Sequence, residues 1–352
     1  MNLLPTKHRG WYADKLADMG IESRITSENQ EIFEANKQRI IDNPTCILNE
    51  ITATQATFTQ FQLLKAIQKR IGDDSKTVGQ VFEHALENAM TVGVGIDGHV
   101  RYTSSRYKEK EEAALVCLEQ FQDATRNHGV TSIRVDAFLA DKFGHMSEEQ
   151  YDATLGLIQN NRFSMLIGRA GTGKTTTTIK AVCDVYQQAG FNVIGTSLSA
   201  LASENLGNEA DINAKTVMGW LTCWERYASA QEKFLSFDRI VEKGALEQYT
   251  WYKDLVQFEH LQLTSKSVLI VDEAGMIGTS QWHDILSFAH KAGAKVIAVG
   301  DDNQYSAIEA GGFFRELKEQ SHARGQLFSL NTIRRQKVEW MRQASHCFAE
   351  LN

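Results

Sequence analysis

Lys174 and Thr175 close the stretch Gly168-Arg169-Ala170-Gly171-Thr172-Gly173-Lys174-Thr175, which fits the pattern G-x-x-x-x-G-K-[ST] at every fixed position. The glycines let backbone N–H groups turn inward around a triphosphate, and a helix that starts here adds partial positive charge. The lysine suits the β and γ phosphates, and the Thr175 hydroxyl suits Mg²⁺. These eight residues, with Thr176 after them, are the candidate nucleotide contacts. The flanks agree with this reading. Phe163-Ser164-Met165-Leu166-Ile167 is a short apolar run of strand length, and Thr176 to Gln188 carries Ile179, Val182, Cys183 and Tyr186 at helical spacing.

Three further groups complete the chemistry. Val268-Leu269-Ile270-Val271-Asp272-Glu273 is an apolar strand ending in two carboxylates. In a parallel sheet, ligands sit at the carboxyl ends of strands. Asp272 there suits the Mg²⁺ shell, and Glu273 suits orienting and deprotonating a water. Lys295 to Val299 is another strand, running into Gly300-Asp301-Asp302-Asn303-Gln304, where Gln304 could sense a γ-phosphate. Alternatively that tip is a polar surface turn. Near the end, Leu330-Asn331-Thr332-Ile333-Arg334-Arg335 offers arginines to transition-state charge or to solvent.

The elements that must position these groups follow from the pattern. Apolar runs at 163–167, 192–196, 268–271, 295–299 and 327–330 alternate with helical stretches, which predicts an α/β P-loop domain, a parallel sheet with helices on both faces, over 142–352. Ser147-Glu148-Glu149-Gln150 reads as a cap and first turn of a helix. Residues 1–45 read as a tail and a short helix over 27–41. Residues 46–141 read as a mostly helical accessory domain. In it, Thr59 caps a helix carrying Phe61, Leu64, Ala66 and Ile67, and a second helix spans 78–90. A winged-helix-like hairpin follows, turning at Asp97-Gly98. Its His99, Arg101 and Tyr102 could touch nucleic acid, or the domain could simply pack on the motor. A charged helix spans 105–126.

The net charge of −7 argues against wrapping nucleic acid by bulk positive charge, though not against gripping one strand in a narrow groove. Five scattered cysteines, with no CxxC pair, read as reduced thiols of a cytoplasmic protein. No apolar run approaches the length of a membrane span.

GRAGTGKT, VDEAGM, GDDNQ and TIRRQ, taken together, resemble the first motor domain of superfamily 1 helicases of the RecD-like branch, within it the TraA-type conjugative relaxase–helicases. The likeness spans nearly the whole chain and is strongest over 147–336. It implies a RecA-like domain that couples ATP·Mg²⁺ hydrolysis to movement on single-stranded DNA in the bacterial cytoplasm. Carried over by motif, it makes Gln150 the reader of the adenine edge, Lys174, Glu273, Gln304 and Arg335 the catalytic set, and Thr175 with Asp272 the metal set. Thr196, Ser197 and Ser199, and then Thr216, fall where such motors touch strand phosphates, although hydroxyls there equally cap the next helix.

The same likeness implies a fragment. A second motor domain would follow Asn352, and the relaxase part is not in this sequence. ATP turnover by the fragment alone is then expected to be slow, with further domains of a relaxase–helicase as possible partners. Residues 221–266 read as a helical insertion whose Trp224, Tyr249, Trp251 and Tyr252 stack bases or pack inward. Rival readings are another P-loop ATPase, which Gln304 and Gly311-Gly312 disfavour, and a DNA- or partner-binding remnant without turnover.

Overall fold

A computed structural model describes residues 24–72, 74–95, 97–123, 130, 133–169, 171–236, 249–301 and 313–332. They form two compact units that divide in sequence between Glu112 and Ala113.

The first unit is helical. It comprises α1 (Arg24–Asp42), α2 (Thr45–Ile51), α3 (Gln60–Ile71) and α4 (Ser75–Glu87), then a hairpin of β1 (Met90–Val94) and β2 (Val100–Thr103), and the start of α5 (Ser105–Asp123). Thr59 caps α3 as expected, in a reciprocal capping box with Gln62. The buried face of α3 is Leu63, Ile67 and Ile71, packed with Ile47, Phe58, Val81 and Ala85. Phe61 instead stands 73% exposed. It lies two residues from Leu63, and positions i and i+2 of a helix point in different directions. Strand β1 is exposed along its whole length.

The second unit adds α6 (Ile133–Phe143), α7 (Glu148–Leu157), β3 (Phe163–Gly168), α8 (Lys180–Gln188), β4 (Asn192–Ser197), α9 (Ala200–Ala210), β5 (Asn213–Thr216) and α10 (Val217–Leu235). After these come α11 (Thr250–Phe258), β6 (Ser267–Val271), α12 (Thr279–Ala292), β7 (Lys295–Gly300), α13 (Phe313–Ala323) and β8 (Leu327–Leu330). The six strands form one sheet in the order β5-β4-β6-β7-β3-β8, every pairing parallel.

Alternate residues of each central strand enter opposite cores. Phe163, Met165, Ile167, Leu269, Val271, Val296 and Ala298 pack on one face with side chains of α10, α12 and α13. Leu166, Val268, Ile270, Ile297 and Val299 pack on the other with α7, α8 and α9. Central strands wetted on neither face must be apolar throughout, which is why 163–167, 268–271 and 295–299 read so clearly as strands. Strand β5, Asn-Ala-Lys-Thr, pairs only with β4 at the sheet edge. An edge strand needs no apolar run, so its sequence carries no strand signal.

Within 221–266, the described residues contain most of α10 and all of α11, which pack side by side. Trp220 and Trp224 stack with ring centroids 5.8 Å apart, and both are buried. The Trp224 indole N–H donates to the Leu261 carbonyl at 3.0 Å. Trp224 therefore packs inward and is not a base-stacking surface. No described helix is long and apolar enough to cross a membrane.

Candidate active site

The carboxyl ends of β3, β6 and β7 lie side by side in the sheet, and Lys174, Asp272 and Asp301 follow those three strands at the same edge. The turn after β3 owes its path to glycine. Gly171 and Gly173 have φ of 84° and 81°, in the left-handed region open to glycine. A Cβ on Gly173 would stand 2.7 Å from the Gln150 amide nitrogen, inside contact distance. The helix that follows opens on a π turn, Lys174–Ile179, rather than an α turn. Thr177 and Thr178 N–H both point to the Gly173 carbonyl at 3.2 Å, which widens the first turn. The expected apolar face holds beyond it, where Ile179, Val182, Cys183 and Tyr186 are all fully buried.

The Lys174 ammonium donates to the Gly168 carbonyl and, at 3.2 Å, to that of Arg169. Burial pulls this lysine below its ordinary pKa, while the charges of Asp301 and Asp272 oppose the shift. Burial likewise pushes the Asp272 carboxyl up, against a hydrogen bond from the Glu273 N–H at 2.9 Å. Glu273 itself has φ 52°, a left-handed conformation uncommon outside glycine and typical of functional sites. Its Oε2 accepts a hydrogen bond from the Ser197 hydroxyl at 3.2 Å.

A cleft of about 500 Å³ opens over the turn, lined by His145, Gln150, Arg169, Lys174, Thr175 and Glu209 among others. Its lining and the neighbouring end of β6 fit a nucleotide triphosphate with Mg²⁺. Inward N–H groups and a lysine suit phosphate oxygens, and the Thr175 hydroxyl in the lining and the Asp272 carboxylate just after β6 are hard oxygen donors of the kind Mg²⁺ takes. The raised pKa of Asp272 has the same sense, because a buried carboxylate is costly until a cation accompanies it.

The other sequence-predicted residues divide. Gln150 lies against the cleft but is 3% exposed. Its amide completes a capping box with Ser147 and donates to the Thr172 carbonyl at 3.0 Å. In this state Gln150 ties α7 to the phosphate turn. Thr196 and Ser197 are buried, and the Thr196 hydroxyl has no hydrogen-bond partner among the described residues. Ser199 is exposed and caps α9 through Ala202 N–H at 3.1 Å, and Thr216 caps α10 through Gly219 N–H at 3.0 Å. Ala170, Gln304, Arg334 and Arg335 lie outside the described residues. The backbone just before the arginines is held, since the Glu149 carboxylate accepts N–H bonds from Asn331 and Thr332.

Sequence reasoning assigned no role to Asp301 or Glu209. Asp301 carried a usable signal: it follows its apolar strand as Asp272 follows its own, and neighbouring parallel strands end at one level. Glu209 carried none, because it arrives from the far end of α9 by packing alone.

Residues 145–350, more than half of the chain, match the family described as AAA domain. The chain belongs to that family. The sheet order and the phosphate turn of this AAA-domain chain are those of a RecA-like P-loop fold. It is 30% identical over 361 residues to the conjugal transfer protein TraA of Rhizobium radiobacter, covering 98% of this chain and 29% of that protein. The probable conjugal transfer protein TraA of Sinorhizobium fredii is 27% identical with the same two coverages. The ATP-dependent RecD2 DNA helicase of Deinococcus radiodurans is 30% identical over 166 residues, 47% of this chain and 19% of that one. Among solved structures, the Pif1 helicase of Candida albicans aligns with a TM-score of 0.32 at 17% identity, covering 56% of this chain and 42% of that one. The chain thus spans 29% of the length of the TraA proteins it matches.

Proposed function

We propose that this chain is the ATP-driven motor portion of a conjugative-transfer DNA helicase, coupling ATP hydrolysis to movement along single-stranded DNA in the bacterial cytoplasm. The observation that carries the reading is the placement of Lys174, Asp272 and Asp301 at one sheet edge, with Glu273 one residue beyond Asp272. The TraA relatives supply the conjugal-transfer part of it and the RecD2 relative the DNA-helicase part.

The residues divide the work by chemistry. Lys174 exchanges its two carbonyl partners for the β and γ phosphate oxygens, and the charges of Asp301 and Asp272 favour its protonated form against burial. Thr175 and Asp272 would hold Mg²⁺, which would screen phosphate charge. Glu273 accepts the proton of the attacking water. Gln150 keeps the turn in register through Thr172, with its reading of adenine as a further role. Gln304 is the γ-phosphate sensor, Arg335 the arginine of the transition state, and Ser199 and Thr216 the outward hydroxyls that meet strand phosphates.

Steady-state ATPase measured with and without an oligothymidine strand tests the reading. Turnover that rises with the strand and vanishes in Lys174→Ala is the expected result. Turnover indifferent to DNA points to another P-loop ATPase, and DNA binding without any turnover points to a non-motor remnant.

A further inference from the structure

The first turn of α7 grips two loops with neighbouring side chains. Gln150 donates to the Thr172 carbonyl of the phosphate turn at 3.0 Å. Glu149, one residue earlier, accepts the Asn331 N–H on Oε1 at 2.5 Å and the Thr332 N–H on Oε2 at 3.3 Å. Each carboxylate oxygen takes one backbone donor, so the contact fixes the direction of the chain as well as its distance. The pairing of β8 with β3 ends at Leu330 opposite Gly168. Beyond that pair the sheet no longer guides the chain, and the Glu149 carboxylate takes over. Arg334 and Arg335 follow within three residues of Thr332.

The helix that carries the carboxylate is itself seated. A Cβ on Gly156 would run into the Phe328 ring, so α7 lies directly on β8. A Cβ on Gly168 would stand 3.1 Å from that of Leu330, so the end of β8 lies closely on the start of the phosphate turn. Glu149 is not required as a first-turn acid. Glu148 stands in the same turn, exposed, and serves the helix dipole equally well. A carboxylate that accepts backbone N–H groups makes charge-assisted bonds, stronger than those between neutral groups.

We propose that Glu149 is a positioning residue that sets the reach of Arg335 toward the transferring phosphoryl group, so that α7 ties the arginine to the same turn that carries Lys174. This rests on the motor reading above and on the place of Arg335 in it. Glu149 touches neither nucleotide nor metal in this scheme. It acts on the arginine through two backbone amides.

The full chain is assayed as Glu149→Gln, Arg335→Ala and the double variant, with saturating oligothymidine. Glu149→Gln is expected to lower kcat by about 10- to 10²-fold, the scale on which a displacement of about 1 Å acts at a reacting centre. KM for ATP, and the Kd of the fluorescent probe N-methylanthraniloyl-ADP with Mg²⁺, stay as in the wild type. Glu149→Asp keeps the charge but not the reach, and its kcat falls with that of Glu149→Gln. In the Arg335→Ala background Glu149→Gln changes kcat by less than about twofold, because no arginine is left to misplace. Equal losses in the two backgrounds overturn the proposal, since the carboxylate would then support the fold or another group. Weaker binding of the probe with unchanged kcat overturns it too, as does wild-type kcat in both Glu149 variants. If Arg335→Ala alone turns over like the wild type, the place given to Arg335 fails and the proposal with it. The motor reading fails separately, if wild-type turnover above the Lys174→Ala blank ignores the strand, while the contrast between the two backgrounds still reads Glu149.

Discussion

The two ends of the parallel sheet bury cations in different company. At the amino end, Arg162 is 2% exposed and Lys295 fully buried. Arg162 donates to the carbonyls of Ala289 at 2.9 Å and Ala294 at 3.1 Å, where α12 ends, and its guanidinium lies 4.3 Å from the centre of the Phe121 ring. Lys295 donates to the Gln159 carbonyl at 2.8 Å and to Asn161 Oδ1 at 2.9 Å. Each donates to backbone or amide oxygens beside an aromatic ring, Phe121 for Arg162 and Tyr186 for Lys295, in packed surroundings. At the carboxyl end, Lys174 also donates to two carbonyls, but the charges of Asp301 and Asp272 act on it, its loop turns on left-handed glycines, and a cleft opens over it. One end uses buried cations to hold helices and strands together. The other keeps a cation in provisional contacts that a more negative ligand can replace.

The contrast is broken most directly at its functional pole. Lys174→Ala is expected to lower kcat by about 10²–10³-fold, the usual loss when one preorganised electrostatic group is removed. The protein should still unfold cooperatively near the wild-type temperature. A collapse of the fold instead would place Lys174 with the structural cations.

At the other pole, Arg162→Ala leaves the carbonyls of Ala289, Ala294 and His290 without their side-chain donor. Ala289 and His290 keep the backbone N–H donors of Ala294 and Gly293, so with about 1 kcal/mol for a buried acceptor that loses its donor a loss of about 1–2 kcal/mol is expected in urea unfolding. A loss below about 1 kcal/mol would mean that the amino end is as adaptable as the carboxyl end.

Asp272→Asn sharpens the comparison by separating activity from stability. Burial raises this carboxyl above its ordinary pKa, so the folded state holds a proton more tightly than the unfolded chain. The penalty is therefore absent below pH 3.8 and is incurred as pH rises through the raised value. The amide removes it, and the nucleotide-free variant should be more stable than the wild type above that value while losing Mg²⁺-dependent turnover.

The smallest effect belongs to Lys295. Burial holds its pKa well below 10.5, so the unfolded chain binds the extra proton between that lowered value and 10.5. Across that window stability rises with pH, since the state that must lose the proton is the unfolded one. The difference in urea midpoint between wild type and Lys295→Met should accordingly shift in favour of the wild type on going from neutral pH toward 10. A pH-independent difference would show that the two acceptors fully solvate the ammonium.

How much was legible in advance depended on whether the signal was local. Gly168 to Thr175, the Asp272-Glu273 pair and the three central strands announce themselves because a phosphate turn needs glycine in a fixed register and a strand buried on both faces needs an apolar run. Ser147 and Thr59 announce their helices because a cap acts over three residues. Strand β5 was silent because an edge strand tolerates polar residues, and the inward packing of Trp224 was undecided because an aromatic suits a core and a base equally well.

By itself, then, the sequence determined the order of α and β elements and the chemical groups that a triphosphate and its metal require, since these depend on neighbours a few residues apart. Only the tertiary structure decided which strand tips adjoin. It placed Asp301 at the same edge as Lys174, brought Glu209 to the cleft from the end of α9, and set Ser197 against Glu273 across 76 residues of chain. Such pairings follow from sheet order and from packing on its two faces, and no spacing along the chain encodes them.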